Sequence, residues 1–142
     1  MIRKADINDF KDIYNLICIL EDRMFDNRKM FDIYRRHIET DGVEYYVYIE
    51  DRMIVGMISL SIKETLHHNS RTGEIIELCV LPEYRNRGIG KALLDCVETI
   101  ALKYNLVELE LSSHIKRKDA HRFYERHLYN KDHFNFTKKI NH

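Results

Sequence analysis

One stretch limits the folds open to this chain more than any other: Ile76-Glu77-Leu78-Cys79-Val80-Leu81-Pro82-Glu83-Tyr84-Arg85-Asn86-Arg87-Gly88-Ile89-Gly90-Lys91-Ala92-Leu93-Leu94. Its first part is apolar enough for a strand covered on both faces, and Pro82, which has no amide hydrogen, ends the ladder. Arg85 to Gly90 lets the backbone turn sharply into a helix that begins near Gly88. A strand, a tight polar turn and a helix start in one run make an anion cradle. The unpaired amides and positive dipole end of the helix face whatever the turn admits, and Arg85 and Arg87 add fixed positive charge. A Rossmann fingerprint would need a third glycine at its own spacing, and a Walker loop would need Gly-Lys-Ser/Thr; neither occurs.

Around this feature the composition is that of one ordinary globular domain over residues 1–142. At 142 residues the chain buries roughly two-thirds of its unfolded surface, enough for one core. Lys plus Arg number 23 and Asp plus Glu 23, so bulk charge points neither to nucleic acid nor to a membrane surface. The amino terminus has no apolar signal core, and Cys18, Cys79 and Cys96 show no paired spacing; a cytoplasmic location and reduced, packing thiols are the expectation.

Read in order, Ile2 to Ala5 predicts a short strand, and Asp6, Asn8 and Asp9 supply caps for a helix from about residue 8 to Glu21 whose stripe is Phe10, Ile13, Leu16, Ile17 and Leu20. Asp26 caps a second helix to about Glu39. Val43–Ile49 and Met53–Ile62 predict a hairpin, Lys63–Arg71 a polar connection, and Thr72–Leu81 the cradle strand. Gly56 leaves room for a helix or ligand. The cradle helix runs to about Tyr104, with Asn105 at its end. Leu106–Ser112 alternates apolar and acidic residues and, reached by a crossover helix, lies parallel to the cradle strand. A fourth helix over Lys116–Arg126 and a closing strand over His133–Ile140 complete an α/β chain with a mixed, mostly antiparallel sheet.

The Arg-x-x-Gly-x-Gly run between strand and helix resembles the pyrophosphate-binding motif of the GNAT (Gcn5-related N-acetyltransferase) superfamily, and Ala120-His121-Arg122-Phe123-Tyr124 resembles its Ala-x-x-Phe-Tyr signature. The resemblance implies the GNAT fold, with a splayed parallel strand pair, and acetyl-CoA as acetyl donor. It implies that Arg85, Asn86, Arg87, Gly88, Ile89, Gly90 and Lys91 grip the diphosphate. Leu78, Cys79 and Val80 would hold the pantetheine arm by their backbones, with Ala120, Phe123 and Tyr124 completing the coenzyme site. Tyr124 is the expected general acid: a phenol with an ordinary pKa of about 10 is still protonated at neutral pH. Glu74 or Glu77 would take the amine proton, Glu74 from the position that histone-type relatives use. Three residues apart on a regular strand, they face opposite sides unless a bulge intervenes.

Nearly the whole chain resembles the aminoalkylphosphonate N-acetyltransferases. The resemblance rests on Leu16-Ile17-Cys18 with Glu21 and Phe25-Asp26, Val55 to Ile58, Leu66-His67-His68, Gly73-Glu74-Ile75, and Lys116-Arg117 through Tyr124 to His133-Phe134. It implies a small-molecule amine that also carries a phosphonate or other anion, clamped by Lys or Arg. The expected acceptor-site residues are Glu21, Phe25, His67, His68, Ser112 and His133. The resemblance also implies dependence on a divalent ion, met by one of His67 and His68 together with His133 or Glu21, although no metal ligand is assigned. Homodimers are common in the superfamily. An aminoglycoside, polyamine or protein amine as acceptor, or a coenzyme sensor without catalysis, are the competing readings. The chain departs from the family at Leu128, where the family has glycine, and at His114, where it has asparagine.

Overall fold

A computed structural model describes Met1–Asn141, and its backbone divides into two units, one spanning Met1–Leu111 and one that begins at Ser112. Chain order in the first unit is β1 (Ile2–Lys4), a 3₁₀ turn (Ile7–Asp9), α1 (Phe10–Glu21), α2 (Asn27–Glu39), β2 (Val43–Glu50), β3 (Met53–Thr65), β4 (Ser70–Val80), a second 3₁₀ turn (Pro82–Tyr84), α3 (Ile89–Lys103) and β5 (Leu109–Leu111). The second unit holds α4 (Lys118–Arg126).

Several helix ends fall where side chains or backbone can satisfy the unpaired groups. Asp6 accepts from the Asn8 amide at 2.8 Å while Asp9 reaches back to the Asp6 amide at 2.8 Å, a reciprocal cap that leads through the 3₁₀ turn into α1. α1 ends as Asp22 turns left-handed (φ 52°) and the Arg23 amide donates to the Cys18 carbonyl. Asp26 then caps α2 through the Lys29 amide. α3 closes through Asn105 (φ 57°), with the Leu106 amide on the Ala101 carbonyl, as expected of Asn105.

Sheet order is β1-β2-β3-β4-β5, antiparallel except for the parallel β4–β5 pair. β2 and β3 join through Asp51 and Arg52, both with positive φ, which matches the twist of a tight hairpin. Phe10, Ile13, Leu16 and Tyr34 from α1 and α2 bury one sheet face together with Tyr45, Val47, Met57 and Cys79. α3 covers the other. The space left by Gly56 belongs to this helix: a methyl there would meet Ile89 at 3.2 Å and Leu93 at 3.3 Å.

Four sequence expectations need correction. The polar segment Lys63–Arg71 is mostly strand: β3 runs to Thr65 and β4 starts at Ser70, leaving only residues 66–69 as a turn. Conversely β5 covers Leu109–Leu111 instead of Leu106–Ser112, because Leu106 is used in closing α3. α4 starts at Lys118, since the Lys116 amide is taken by His114 Nδ1 (3.1 Å) in a preceding turn. His133–Ile140 forms no strand: Phe134 and Phe136 are each 90% exposed, and two-residue alternation makes a strand only where an edge is available to pair with.

Candidate active site

The cradle forms as its sequence predicts. After the 3₁₀ turn, Asn86 and Gly88 take positive φ (64° and 83°), and Gly88 serves as the N-cap of α3 without a capping side chain. The first amides of α3 therefore have no side-chain partner from the cap position, and no heavy atom lies within 4 Å of where a Gly88 methyl would sit. Glycine is required at this φ, and the space beside it is open. Arg87 lies 4.9 Å over the Tyr84 ring and 3.4 Å from Glu50, while Arg85 Nε donates to the Val80 carbonyl at 3.0 Å. Both arginines are exposed. This chemistry, free amides at a helix start with flanking guanidinium groups, fits a diphosphate.

Next to the cradle the sheet opens. The β4–β5 register runs from Gly73↔Leu109 to Ile75↔Leu111 and stops, while β4 continues through Ile76 to Val80 with no further ladder on that side among the described residues. Because the Leu81 amide donates to Val55 O (2.8 Å) across the β3 side, strand alternation turns the peptide groups of Cys79 toward β3 and those of Val80 and Leu78 toward the gap. The peptide groups that face the gap are thus those of Leu78 and Val80, the Val80 carbonyl already accepting from Arg85. Cys79 instead packs inward, its thiol 3.3 Å from the Leu16 carbonyl.

The two candidate bases occupy the same face, contrary to regular-strand spacing. Ile58 pairs with Leu78 and Leu60 with Ile75, so three steps on β4 oppose two on β3: β4 carries a bulge at Ile76-Glu77. The bulge turns Glu77 to the face that Glu74 shares with Ser59, Ser61 and Lys63. The two environments differ. Glu74 makes an ion pair with Lys63, which also lies 3.8 Å from Glu110. Glu77 is hydrogen-bonded to Ser59, and burial pushes its carboxyl above the usual carboxylate range, a shift that Ser59 opposes and the charge of Glu21 reinforces. Tyr45, opposite Ser59 on β2, places its hydroxyl 2.6 Å from His37 Nδ1, and burial plus the Glu77 charge hold this phenol protonated. Ser59, Tyr45 and His37 escaped the sequence reading. The available signal was Ser59 itself, a polar residue within the continuous apolar run of β3.

Glu21 ends α1, and Phe25 follows in the loop to α2, where its carbonyl accepts from Tyr14 (2.5 Å) and its ring lies 4.4 Å from the Arg23 guanidinium. His67 and His68 sit side by side in the β3–β4 turn, ring centroids 4.2 Å apart. His68 is committed to Thr65 (2.8 Å) and Glu108 (3.2 Å). Among the described residues, no three His, Cys, Asp or Glu side chains gather into a group able to hold a metal ion.

In the second unit, Ala120, Phe123 and Tyr124 lie half-buried on α4. Burial raises the Tyr124 phenol pKa and the nearby Arg117 charge opposes it, so Tyr124 keeps its proton at neutral pH. Its ring is edge-on to Phe123 (5.3 Å) and Tyr129 (6.0 Å). Ser112 is exposed at the start of the unit, and His133 is exposed with Asp132 2.6 Å away.

Known proteins share this fold. The family model described as Acetyltransferase (GNAT) family matches residues 8–128. The chain is 40% identical over 139 residues to an aminoalkylphosphonate N-acetyltransferase of Salmonella typhimurium, covering 98% of this chain and 90% of that one. Among solved structures, a transcriptional regulator from Bacillus halodurans superposes with a TM-score of 0.90 at 18% identity, covering 99% of both chains. A GNAT family acetyltransferase from Staphylococcus aureus does so at 0.79 and 20% identity, covering 99% of this chain and 98% of that one. With a glycine-capped cradle, an opened strand pair and a family match over most of its length, the chain belongs to the GNAT family of acetyltransferases.

Proposed function

We propose that this N-acetyltransferase acetylates the primary amine of an aminoalkylphosphonate, or of a closely similar amine that carries an anion. The observation that carries the choice of acceptor is the 40% identity, across almost the full length of both chains, to an enzyme of that name. The site residues are consistent with it.

Acetyl-CoA, the second substrate, supplies an acetyl group activated as a thioester. The amides at the start of α3, with Arg85 and Arg87, are suited to its diphosphate, and the gap-facing Leu78 peptide groups and Val80 amide to its pantetheine arm. Glu77 takes the proton from the acceptor nitrogen onto a carboxylate oxygen; its raised pKa makes it a better base than an ordinary carboxylate. Glu74, held by Lys63, is the weaker candidate for that role. Tyr124 holds the proton destined for the leaving sulfur. Glu21, Phe25, His67, Ser112 and His133 remain the proposed acceptor-site residues, with Lys116 and Arg117 as the anion clamp. A homodimer, from the superfamily resemblance, and a cytoplasmic location, from the unpaired spacing of the cysteines, belong to the same reading.

The test is thiol release from acetyl-CoA against a panel of aminomethylphosphonate, 2-aminoethylphosphonate, amino acids, a polyamine and an aminoglycoside, each with and without divalent metal. The aminoalkylphosphonates should give the highest kcat/KM. Preference for an amine lacking an anion would overturn the acceptor assignment, and binding of acetyl-CoA with no turnover on any amine would favour a sensor. Tyr124→Phe should lower kcat by about two to four orders of magnitude with acetyl-CoA affinity nearly unchanged. An undiminished rate removes Tyr124 from the acid role.

A further inference from the structure

Ser59 is the single polar residue in the apolar segment Val55–Leu60 of β3, and it is 1% exposed. A hydroxyl withdrawn from water costs about 1–3 kcal/mol unless it finds partners. Ser59 finds both of its partners in one residue. Its Oγ accepts from the Glu77 amide at 3.0 Å, and its hydroxyl hydrogen, the only one it has, is left to donate to Glu77 Oε1.

The bulge explains the arrangement. Three β4 steps against two on β3 leave the Glu77 amide opposite a position where the ladder supplies no carbonyl, and the Ser59 oxygen fills that place. The same atom then fixes the carboxylate that the bulge has turned inward. One hydroxyl thereby sets both the backbone irregularity and the direction of the side chain it carries.

We propose that Ser59 is a positioning residue for acetyl transfer, holding the Glu77 carboxylate in one orientation toward the acceptor amine. This rests on the reading of Glu77 as the base. Glu77 is approached by Glu21 from the end of α1, by Tyr45 from β2 with His37 of α2 on its hydroxyl, and by Ser59 from β3; Glu74 and Lys63 lie further along the same face. Burial and Glu21 favour the protonated form of Glu77, while Ser59, by donating, favours the ionised one. Removing the hydroxyl therefore displaces the Glu77 titration to higher pH. A residue that merely filled space would leave that titration where it was.

The experiment pairs a titration with kinetics. The Glu77 carboxyl carbon is followed by 13C NMR in glutamate-labelled protein and assigned through Glu77→Gln, while kcat/KM for 2-aminoethylphosphonate is measured across pH. In Ser59→Ala the NMR midpoint and the acidic limb of kcat/KM should both move to higher pH, with kcat/KM at pH 7 down about ten- to a hundredfold and the KM for acetyl-CoA little changed. Ser59→Thr, which keeps the hydroxyl, should restore both. Ser59→Cys, a weak donor of similar size, should fall between and serves if either other variant melts below the assay temperature. An NMR midpoint unmoved in Ser59→Ala overturns the positioning role, and this reading does not depend on turnover. A midpoint that moves while Glu77→Gln retains full activity shows instead that Glu77 is not the base, and the inference falls with that reading.

Discussion

Leu128 occupies a backbone conformation that its side chain opposes. α4 closes with the Tyr129 amide on the Tyr124 carbonyl (3.0 Å) and the Leu128 amide on the Glu125 carbonyl (3.1 Å), which requires a left-handed residue between them, and Leu128 supplies it at φ 70°. For a residue with a Cβ this costs about 1–2 kcal/mol. The leucine side chain is 88% exposed, so little packing offsets the strain. Leu128→Gly should therefore raise stability by about 0.5–1 kcal/mol, after allowing for the greater freedom of glycine in the unfolded chain. Thermal melts monitored at α4 check this; a lower melting temperature would mean that the side chain makes contacts worth more than the strain. The departure from the family's glycine thus marks a strained helix end, with the helix-end geometry itself retained.

At the level of elements, the junction between β1 and α1 concentrates charge where the chain changes direction. Asp9, buried in spite of its charge, accepts from the Asp6 amide and from both Arg3 guanidinium nitrogens, at 2.7 and 2.9 Å. The Arg3 hydrogen bonds hold the Asp9 carboxyl below the usual carboxylate range, against the opposing effect of burial. Since the folded pKa is depressed, this junction contributes stability above the unfolded carboxylate pKa of about 3.9 and loses it as pH falls from there through the folded value. Asp9→Asn should cost about 1–3 kcal/mol at pH 7 and flatten the acid limb of the melting-temperature profile. A variant that keeps the wild-type acid slope would exclude Asp9 as its source. Such boundaries are legible in sequence because their cause is local: Asp6, Asp9, Asp26 and Asn105 each act within a few residues. The bulge at Ile76-Glu77 was not legible, because it depends on β3 register and on Ser59, eighteen residues away in sequence. The length of β5 and the fate of His133–Ile140 depend likewise on which edges are free to pair. The turn that opens α3 could be read from Gly88 and Gly90, whereas the contrasting surroundings of Glu74 and Glu77 emerged only from the Lys63 and Ser59 contacts.

On the scale of the whole molecule, the cradle and the open edge of β4 both belong to the Met1–Leu111 unit, so a ligand that grips them stabilises the sheet that holds Glu77. A ligand bound by the folded chain and not the unfolded one, present at a hundred times its Kd, adds about 2.7 kcal/mol. For a chain of this size that corresponds to a rise in melting temperature of about 10 °C. Coenzyme A and acetyl-CoA should give nearly the same rise, because the proposed contacts of the α3 amides and the arginines are to the diphosphate and not to the acetyl group. Pantetheine at the same concentration should give little. Gly88→Ala tests the backbone component: its methyl meets no neighbouring atom, yet φ 83° is unfavourable for alanine, so relaxation of the turn should weaken the coenzyme-induced shift more than it lowers the melting temperature of the free protein. Raising the salt concentration should reduce the part owed to the exposed Arg85 and Arg87 and leave most of the amide contribution. If pantetheine matched coenzyme A, the grip would lie in the β4–β5 gap alone, and the turn at Gly88 would be a connection between strand and helix without a ligand to hold.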